Sequence, residues 1–478
     1  MYRCKNCYHG VDSDNLNSIF QCPVCGVERE MFEKITPDDP YKGINISLKN
    51  KAIERIKEKC INCGRCKFVC ENIEGIKYDC EEPICVNCGT CLLNCPTGAI
   101  VPKYSYKKVL ELIKDPKKIV IISTAPAVRV ALGEEFKMEY GSIVEGKMVT
   151  CLKQLGFDYV YDITFGADLT AMEEANELLN RIRNKGNLPQ FSSCCPSWVK
   201  YLEIYYPQYI KNLSSCKSPI GMQGSIIKTY LSKYYQINPQ DIIHVSLAPC
   251  TAKKDEITAH KSAYNKINDE EILINDTDYI ITTSELGLMI RENNIDFANL
   301  KETAFDNLLT KGSASGLKFG HSGGVTEAVL NNIKYLLNSD DEIILNEIKS
   351  DEKVREYQLK IDEYEIKIAI VMEIKNIKKV LDNFNDYKDY HFIEVMNCPK
   401  GCIGGSGQPL SLISKQNEII DKRFDALEKC LKEDNILYSY QNPSIKKIYD
   451  EFLEYPNSDI SKKILHTSYQ DKSYLLKQ

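Results

Sequence analysis

Eight cysteines between residues 60 and 95 follow one repeated spacing. Cys60-x-x-Cys63-x-x-Cys66-x-x-x-Cys70 recurs as Cys85-x-x-Cys88-x-x-Cys91-x-x-x-Cys95, followed by Pro96. Cysteines in tight C-x-x-C groups signify disulfides or metal. The whole chain carries 21 cysteines, most of them in such groups, but only six histidines, none spaced to join them. Disulfide frameworks belong to short secreted chains. This chain has 478 residues, and its N-terminus, Met1-Tyr-Arg-Cys-Lys-Asn-Cys, has no apolar signal region. Metal is therefore the expected organiser. Soft thiolates with little imidazole favour iron–sulfur chemistry over a zinc enzyme.

The repeat has the spacing of bacterial two-cluster ferredoxins, in which the fourth cysteine of each run serves the other cluster. That pattern gives one 4Fe–4S cluster to Cys60, Cys63, Cys66 and Cys95, and a second to Cys85, Cys88, Cys91 and Cys70. Residues 44–105 are expected to form a small ferredoxin-like α+β domain, with Cys80 a spare thiol between the runs. Upstream, Cys4-x-x-Cys7 and Cys22-Pro-Val-Cys25-Gly form two knuckles that can enclose one tetrahedral metal. The second knuckle resembles half of a rubredoxin, which implies a single iron carrying one electron. A structural zinc ribbon has the same spacing, and spacing alone does not choose. Tyr8 stands where rubredoxins place a glycine. Residues 1–34 are expected to be this metal-binding unit, and the Pro- and Asp-rich stretch from Thr36 to about Gly43 a linker.

A chain this long exceeds one ordinary core, so two to four domains are expected. Its 43% hydrophobic and 27% charged residues are ordinary for a globular protein. A formal net charge of −6 argues against a general nucleic-acid binder. No uncharged apolar run reaches the roughly 18 residues of a membrane span, so a cytoplasmic location is expected. From about Tyr106 the pattern changes. Buried-strand candidates at 118–123, 242–247, 279–282, 368–371 and 392–396 are separated by charged helical stretches such as 171–184 and 220–235. Such alternation predicts an α/β domain of mixed and parallel sheets with helices, running from 106 to 478. Residues 338–390, charged and Ile/Lys-rich, read as surface elaboration.

Three further cysteine segments fall in this region: Ser192-Ser193-Cys194-Cys195-Pro196-Ser197-Trp198, Pro249-Cys250-Thr-Ala-Lys253-Lys-Asp-Glu256, and Asn397-Cys398-Pro-Lys-Gly-Cys402-Ile-Gly404-Gly405-Ser-Gly407-Gln408-Pro409. The second and third begin where an apolar strand ends, and open α/β sheets place ligands outside the carboxyl ends of their strands. The glycine-rich turn after Cys402 lets backbone approach a ligand closely. In order and content these segments resemble the cluster-binding signatures of iron-only (FeFe) hydrogenases. The resemblance runs from about Lys51 to Tyr469. It includes a tail at 440–470, with Asn442-Pro443, Tyr449, Ser458 and Leu465-His466-Thr467, like the family's small subunit.

The resemblance implies an H-cluster: a third 4Fe–4S cubane held by Cys195, Cys250, Cys398 and Cys402. The last cysteine would bridge to a diiron subcluster bearing CO, CN and a bridging dithiolate. Ala125, Pro126, Pro219, Gly320 and Met396 match positions lining the diiron pocket. Lys253 would hold a cyanide ligand with its ammonium, and the role of Glu256 stays open. Cys194 would pass protons to the cluster, work suited to a thiol titrating near neutrality. Glu174, Glu177 and Arg181 stand at i, i+3 and i+7, on one stripe of a predicted helix. By resemblance they and Ser214 form the proton path; by pattern alone they are a solvated helix face. The implied activity is an anaerobic hydrogenase interconverting protons and H₂. It would exchange electrons with a ferredoxin and depend on maturation enzymes for the diiron site. Three rival readings remain: a sensory relative of low turnover, an iron–sulfur assembly homologue, and a pure electron carrier. The doubled Cys194-Cys195 and the complete segment from Cys398 to Pro409 count against the second. Four positions depart from the family pattern. Ala248 and Ile220 stand where Met and Gln are usual, and His321 and Thr326 where Ala and Met are commoner. All four are expected to alter the surroundings of the diiron site.

Overall fold

The structure is a computed structural model and describes residues 1–36, 43–76, 84–259, 261–267, 270–307, 312–351 and 353–477. Cys80 and most of the expected linker lie outside these residues.

Two sheets carry the chain beyond residue 106. The first is wholly parallel, in the order Tyr279–Thr282, Ile242–Ala248, Ile119–Thr124, Tyr159–Asp162. Parallel strands covered on both faces must be apolar along their whole length. Ile121 and Ile122, whose side chains point to opposite faces, are both fully buried. The second sheet is mixed. Asn346–Ser350, Val354–Ile361 and Tyr364–Met372 form an antiparallel meander, and Phe392–Met396 then Gln190–Phe191 continue it in parallel. The fold is thus the expected α/β arrangement of mixed and parallel sheets with helices.

The stretch 338–390 is only partly the surface elaboration expected. Asn346–Ser350 is exposed throughout, but Leu359, Ile361, Ile366 and Ile368 belong to the core. Charged residues alternating along Val354–Ile361 hide a buried face, because strand side chains point to opposite sides in turn.

One long helix, Thr164–Arg183, runs between the layers. Its alanines 167, 171 and 175 let Val325, Ala328 and Val329 of the Gly324–Leu336 helix pack close. Its Phe165, Leu169 and Met172 pack with Ile445, Ile448, Leu453, Ile464 and Leu465 of the C-terminal segment. Each such buried side chain stabilises the fold by roughly 1.5–3 kcal/mol, so the tail is part of the core of this domain.

The N-terminal third is built of small pieces. Tyr2–Cys4 pairs antiparallel with Gly10–Val11 and with Phe32–Lys34. Ile53–Arg55 pairs antiparallel with Ile100–Pro102, and the short helices Arg65–Asn72 and Thr90–Leu93 lie between them in sequence.

Candidate active site

Four parallel strands of the two sheets end in loops that meet. Ile119–Thr124 runs into Ala125-Pro126, and Ile242–Ala248 into Pro249-Cys250. Gln190–Phe191 leads to Cys194-Cys195, and Phe392–Met396 to Asn397-Cys398. These are carboxyl ends, where α/β sheets place their ligands. Buried Arg129 pins the first loop: it grips both carboxylate oxygens of Asp162 at 2.9 Å and donates to the Pro126 carbonyl at 3.2 Å.

Between the loops lies a cavity enclosing about 830 Å³ of unfilled space, its open mouth included. Its wall contains Ala125, Pro126, Pro219, Gly320 and Met396 together with Cys194, Cys195, Cys250, Lys253, Cys398 and Cys402. Every cavity position singled out from the sequence therefore meets in one place. Ile163, Ile220, Ala248, Phe319 and Asn397 also line it.

The four cysteines expected to hold a cubane are all pushed up by burial: Cys250 to about 11, Cys402 to about 12, Cys195 and Cys398 upward as well. Four half-buried thiols around one cavity, with Lys253 as the nearby cation, form a donor set that suits a soft, multi-iron centre. The glycine-rich turn is shaped by its neighbours. A Cβ at Gly405 would overlap the Pro249 carbonyl oxygen, and at Gly401, whose φ is 96°, a Cβ would collide with the His321 backbone. Gly407 N donates to Pro249 O at 2.8 Å, locking the Cys402 turn to the Cys250 loop.

The remaining cysteines gather as their spacing predicts. Cys63, pushed up to about 11 by burial, has Cys66, Cys95 and Cys60 as neighbouring thiols, while Cys91 has Cys70 and Cys85 among its own. The second set borders the cavity loops: Thr251 donates to the Asn87 carbonyl at 3.1 Å, and its hydroxyl meets that of Ser406 at 2.8 Å. At the N-terminus the sulfurs of Cys4, Cys7, Cys22 and Cys25 lie within 4.8 Å of one another, a cage for a single ion. Tyr8 adopts the left-handed φ of 60° that a glycine would take at this turn, and stacks on Phe68 at 5.4 Å.

Glu174, Glu177 and Arg181 share the Thr164–Arg183 helix. Glu177 accepts from Arg181 at 2.7 Å and from Ser214 at 2.9 Å. Glu174, one turn closer to the cavity, is 1% exposed, and neither of its carboxylate oxygens has a hydrogen-bond partner within 3.5 Å among the described residues. Burial, reinforced by Glu177, pushes its pKa up to about 8. Burial, with Glu174 next, raises Cys194 well above its ordinary value. The cause is the low-dielectric cavity wall, which the local sequence does not display. Lys253 donates to the Cys194 carbonyl at 2.9 Å and pairs with Glu256 at 2.5 Å. Burial opposes its charge, but Glu256 and Cys250 keep it protonated.

Sequence reasoning missed a second group beside Glu177. Ser215 donates to that carboxylate and meets His466 Nδ1 at 2.7 Å, His466 Nε2 reaches Glu173 at 3.2 Å, and Cys216 Sγ lies 3.6 Å from Glu177. His466 lies in the tail segment already matched, but partners 251 residues apart have no local signal. The departures divide. Ala248 and Ile220 line the cavity and pack together with Ile163 and Ile280. His321 and Thr326 are not among its lining residues: His321 packs tilted against Phe424 at 5.2 Å, and Thr326 donates to Glu394 at 2.9 Å. They therefore act on the wall through the residues beside them.

The family described as "Iron only hydrogenase large subunit, C-terminal domain" matches residues 118–406, and "Iron hydrogenase small subunit" matches 417–472. The chain belongs to the iron-only hydrogenases. It is 35% identical over 458 residues to iron hydrogenase 1 of Clostridium pasteurianum, covering 91% of this chain and 78% of that protein. It is 34% identical over 462 residues to the NADP-reducing hydrogenase subunit HndD of Solidesulfovibrio fructosivorans, covering 90% and 77%. A solved structure of the FeFe hydrogenase HydA1 from Chlamydomonas reinhardtii matches with a TM-score of 0.67 at 32% identity, covering 77% of this chain and 98% of that one. Protein NAR1 of Arabidopsis thaliana is more distant, 28% identical over 400 residues, covering 78% and 83%. This iron-only hydrogenase is an enzyme whose family carries iron–sulfur clusters and an H-cluster. No helix among its described residues is long and apolar enough to cross a membrane.

Proposed function

We propose that this hydrogenase reversibly reduces protons to H₂ at an H-cluster and exchanges electrons with a soluble ferredoxin in the cytoplasm of an anaerobe. One observation carries the reading: Cys195, Cys250, Cys398 and Cys402 ring a single cavity that also exposes Cys194 and Lys253. When bound, the H-cluster supplies the site at which two protons and two electrons become H₂.

The chain's own residues do the rest. The four cysteines would hold the cubane. Ala125, Pro126, Pro219, Gly320 and Met396 supply a mostly apolar wall that excludes bulk water. Lys253, kept charged by Glu256, offers its ammonium to an anionic CN ligand. Arg181 and Glu177 take protons from the surface, and Ser214 and Glu174 pass them to Cys194, whose thiol delivers them to the cavity. A carboxyl near pH 8 can both accept and release a proton under working conditions. Cys60, Cys63, Cys66 and Cys95, and Cys85, Cys88, Cys91 and Cys70, would hold the two ferredoxin-type clusters, which would supply one-electron transfer to the site; the N-terminal knuckle would hold iron. Maturation enzymes must provide the diiron subcluster with its CO, CN and dithiolate ligands.

The test is infrared spectroscopy of protein matured anaerobically, with H₂ evolution from reduced ferredoxin measured on the same sample. CO and CN stretches with turnover are expected. Their absence after maturation would overturn the reading. An intact spectrum with negligible turnover would instead favour a sensory role.

A further inference from the structure

The N-terminal knuckle is joined to one particular end of the ferredoxin-like unit. Arg65, 4% exposed, opens the helix that follows Cys63-Gly64. One of its terminal nitrogens donates to the Cys7 carbonyl, and the other to Asn94 Oδ1 at 2.7 Å. Asn94 immediately precedes Cys95. Across the same joint, a Cβ built on Gly10 would stand 2.9 Å from Cys63 Cβ and 3.3 Å from its sulfur. Phe68, on the first turn of the helix, packs among Cys4, Cys7 and Cys22. The knuckle backbone therefore touches or is bonded to the loops of Cys63 and Cys95, two thiols of one expected cluster. The other expected cluster borders the active-site loops through Asn87 and Thr251. Cys91 of that second set has Cys66 and Cys95 of the first among its neighbouring thiols, so each centre adjoins the next, from the knuckle to the cavity loops.

We propose that the knuckle iron is the outer station of this line. It exchanges single electrons with the cluster of Cys60, Cys63, Cys66 and Cys95 across the joint made by Arg65 and Gly10. The proposal rests on the reading of the knuckle metal as iron. Its balance is simple: one H₂ oxidised at the active site yields two protons and two electrons, of which one reduces the single ferric knuckle iron to ferrous and the other reduces one of the ferredoxin-type clusters. Both centres are anionic when ligated by four thiolates. The buried guanidinium between them offsets their repulsion and favours the reduced form of each.

The test uses the full-length, iron-loaded, matured enzyme with its knuckle oxidised. It is exposed to H₂ without mediator while the high-spin ferric resonance and visible absorption of the tetrathiolate iron are followed. H₂ alone should reduce the knuckle. Gly10→Val pushes into Ile61 and Cys63, and close-packed joints transmit such displacements, so reduction should slow roughly tenfold or more relative to H₂ oxidation with an artificial acceptor. Arg65→Met should slow it as well and lower the knuckle's midpoint potential. Zinc alone in the knuckle would defeat the iron reading and the proposal with it. A ferric signal that persists under H₂ while the ferredoxin-type clusters become reduced would leave the iron reading standing and defeat the relay. Reduction of both variants at the wild-type rate would also overturn it.

Discussion

Glu174→Gln removes a buried carboxyl that the proposed proton path requires and that the fold tolerates poorly. The folded-state pKa is about 8 against an ordinary 4.5. Between those values the unfolded chain has released this proton and the folded chain has kept it, so stability falls as pH rises across the window. At about 1.4 kcal/mol per pH unit the whole interval amounts to about 5 kcal/mol. The glutamine amide brings N–H donors into this buried site, at a cost of about 1–3 kcal/mol. Above pH 8 the variant should therefore be more stable by about 2–4 kcal/mol, and below pH 4.5 less stable by about 1–3 kcal/mol. Turnover should move the other way, falling about 10²–10⁴-fold, because an amide cannot relay a proton. Thermal inactivation of the anaerobic holoenzyme at pH 6 and pH 9, with H₂ evolution at each, makes the comparison. Infrared difference spectra should show a protonated carboxyl band that is lost near pH 8 and is absent from the variant. A band that titrates near 4.5, or a stability change of equal sign and size at both pH values, would refute the burial argument. Turnover within tenfold of wild type would refute the path.

Cys194→Ser should keep the CO and CN bands but lose about 10²–10⁴-fold in evolution rate, since an alcohol is far less acidic than a thiol. Cys195→Ser should lose the cubane itself, and infrared spectra with iron counts on both variants decide the division of labour. Replacing Cys63 or Cys88 should remove or convert one 4Fe–4S cluster and lower the rate with ferredoxin; unchanged iron counts would overturn the ligand sets. Ala248→Met should change the ratio of evolution to uptake with the cluster still assembled, and an unchanged ratio would show the position to be silent.

What could be read in the sequence was chemistry carried by short spacing. The interleaving of Cys95 with Cys60, Cys63 and Cys66 is visible because each run is local and the exchange follows from the motif. The convergence of Cys250 and Cys398 is visible because strand ends are. What could not be read depends on distant partners or on the dielectric. Arg65 looks like a surface residue of a short helix, yet the knuckle buries it against Cys7. Cys194 looks like a thiol of ordinary acidity, yet burial in the cavity wall raises it. The meander at Val354–Ile361 looks like a charged surface because only one of its faces is apolar.

The departures at 220 and 248 show the same limit in a form that bears on the enzyme. Read along the chain, a lost Met and a lost Gln are two independent changes. In the fold Ile220 and Ala248 belong to one apolar cluster with Ile163 and Ile280, and both form the cavity wall. A small residue at 248 leaves space that the branched side chain at 220 offsets only in part, so the wall next to the cavity is roomier. The pair also removes an amide and a thioether, the two polarisable groups expected at these positions, and substitutes hydrocarbon. Methionine alone at 248 therefore competes with Ile220 for the same space, at a cost of about 1–3 kcal/mol if the wall does not yield. Ala248→Met combined with Ile220→Gln changes both at once, and the two substitutions should be non-additive in stability and in the ratio of evolution to uptake, because residues in contact couple. Simple additivity would mean that the two positions tune the cavity separately.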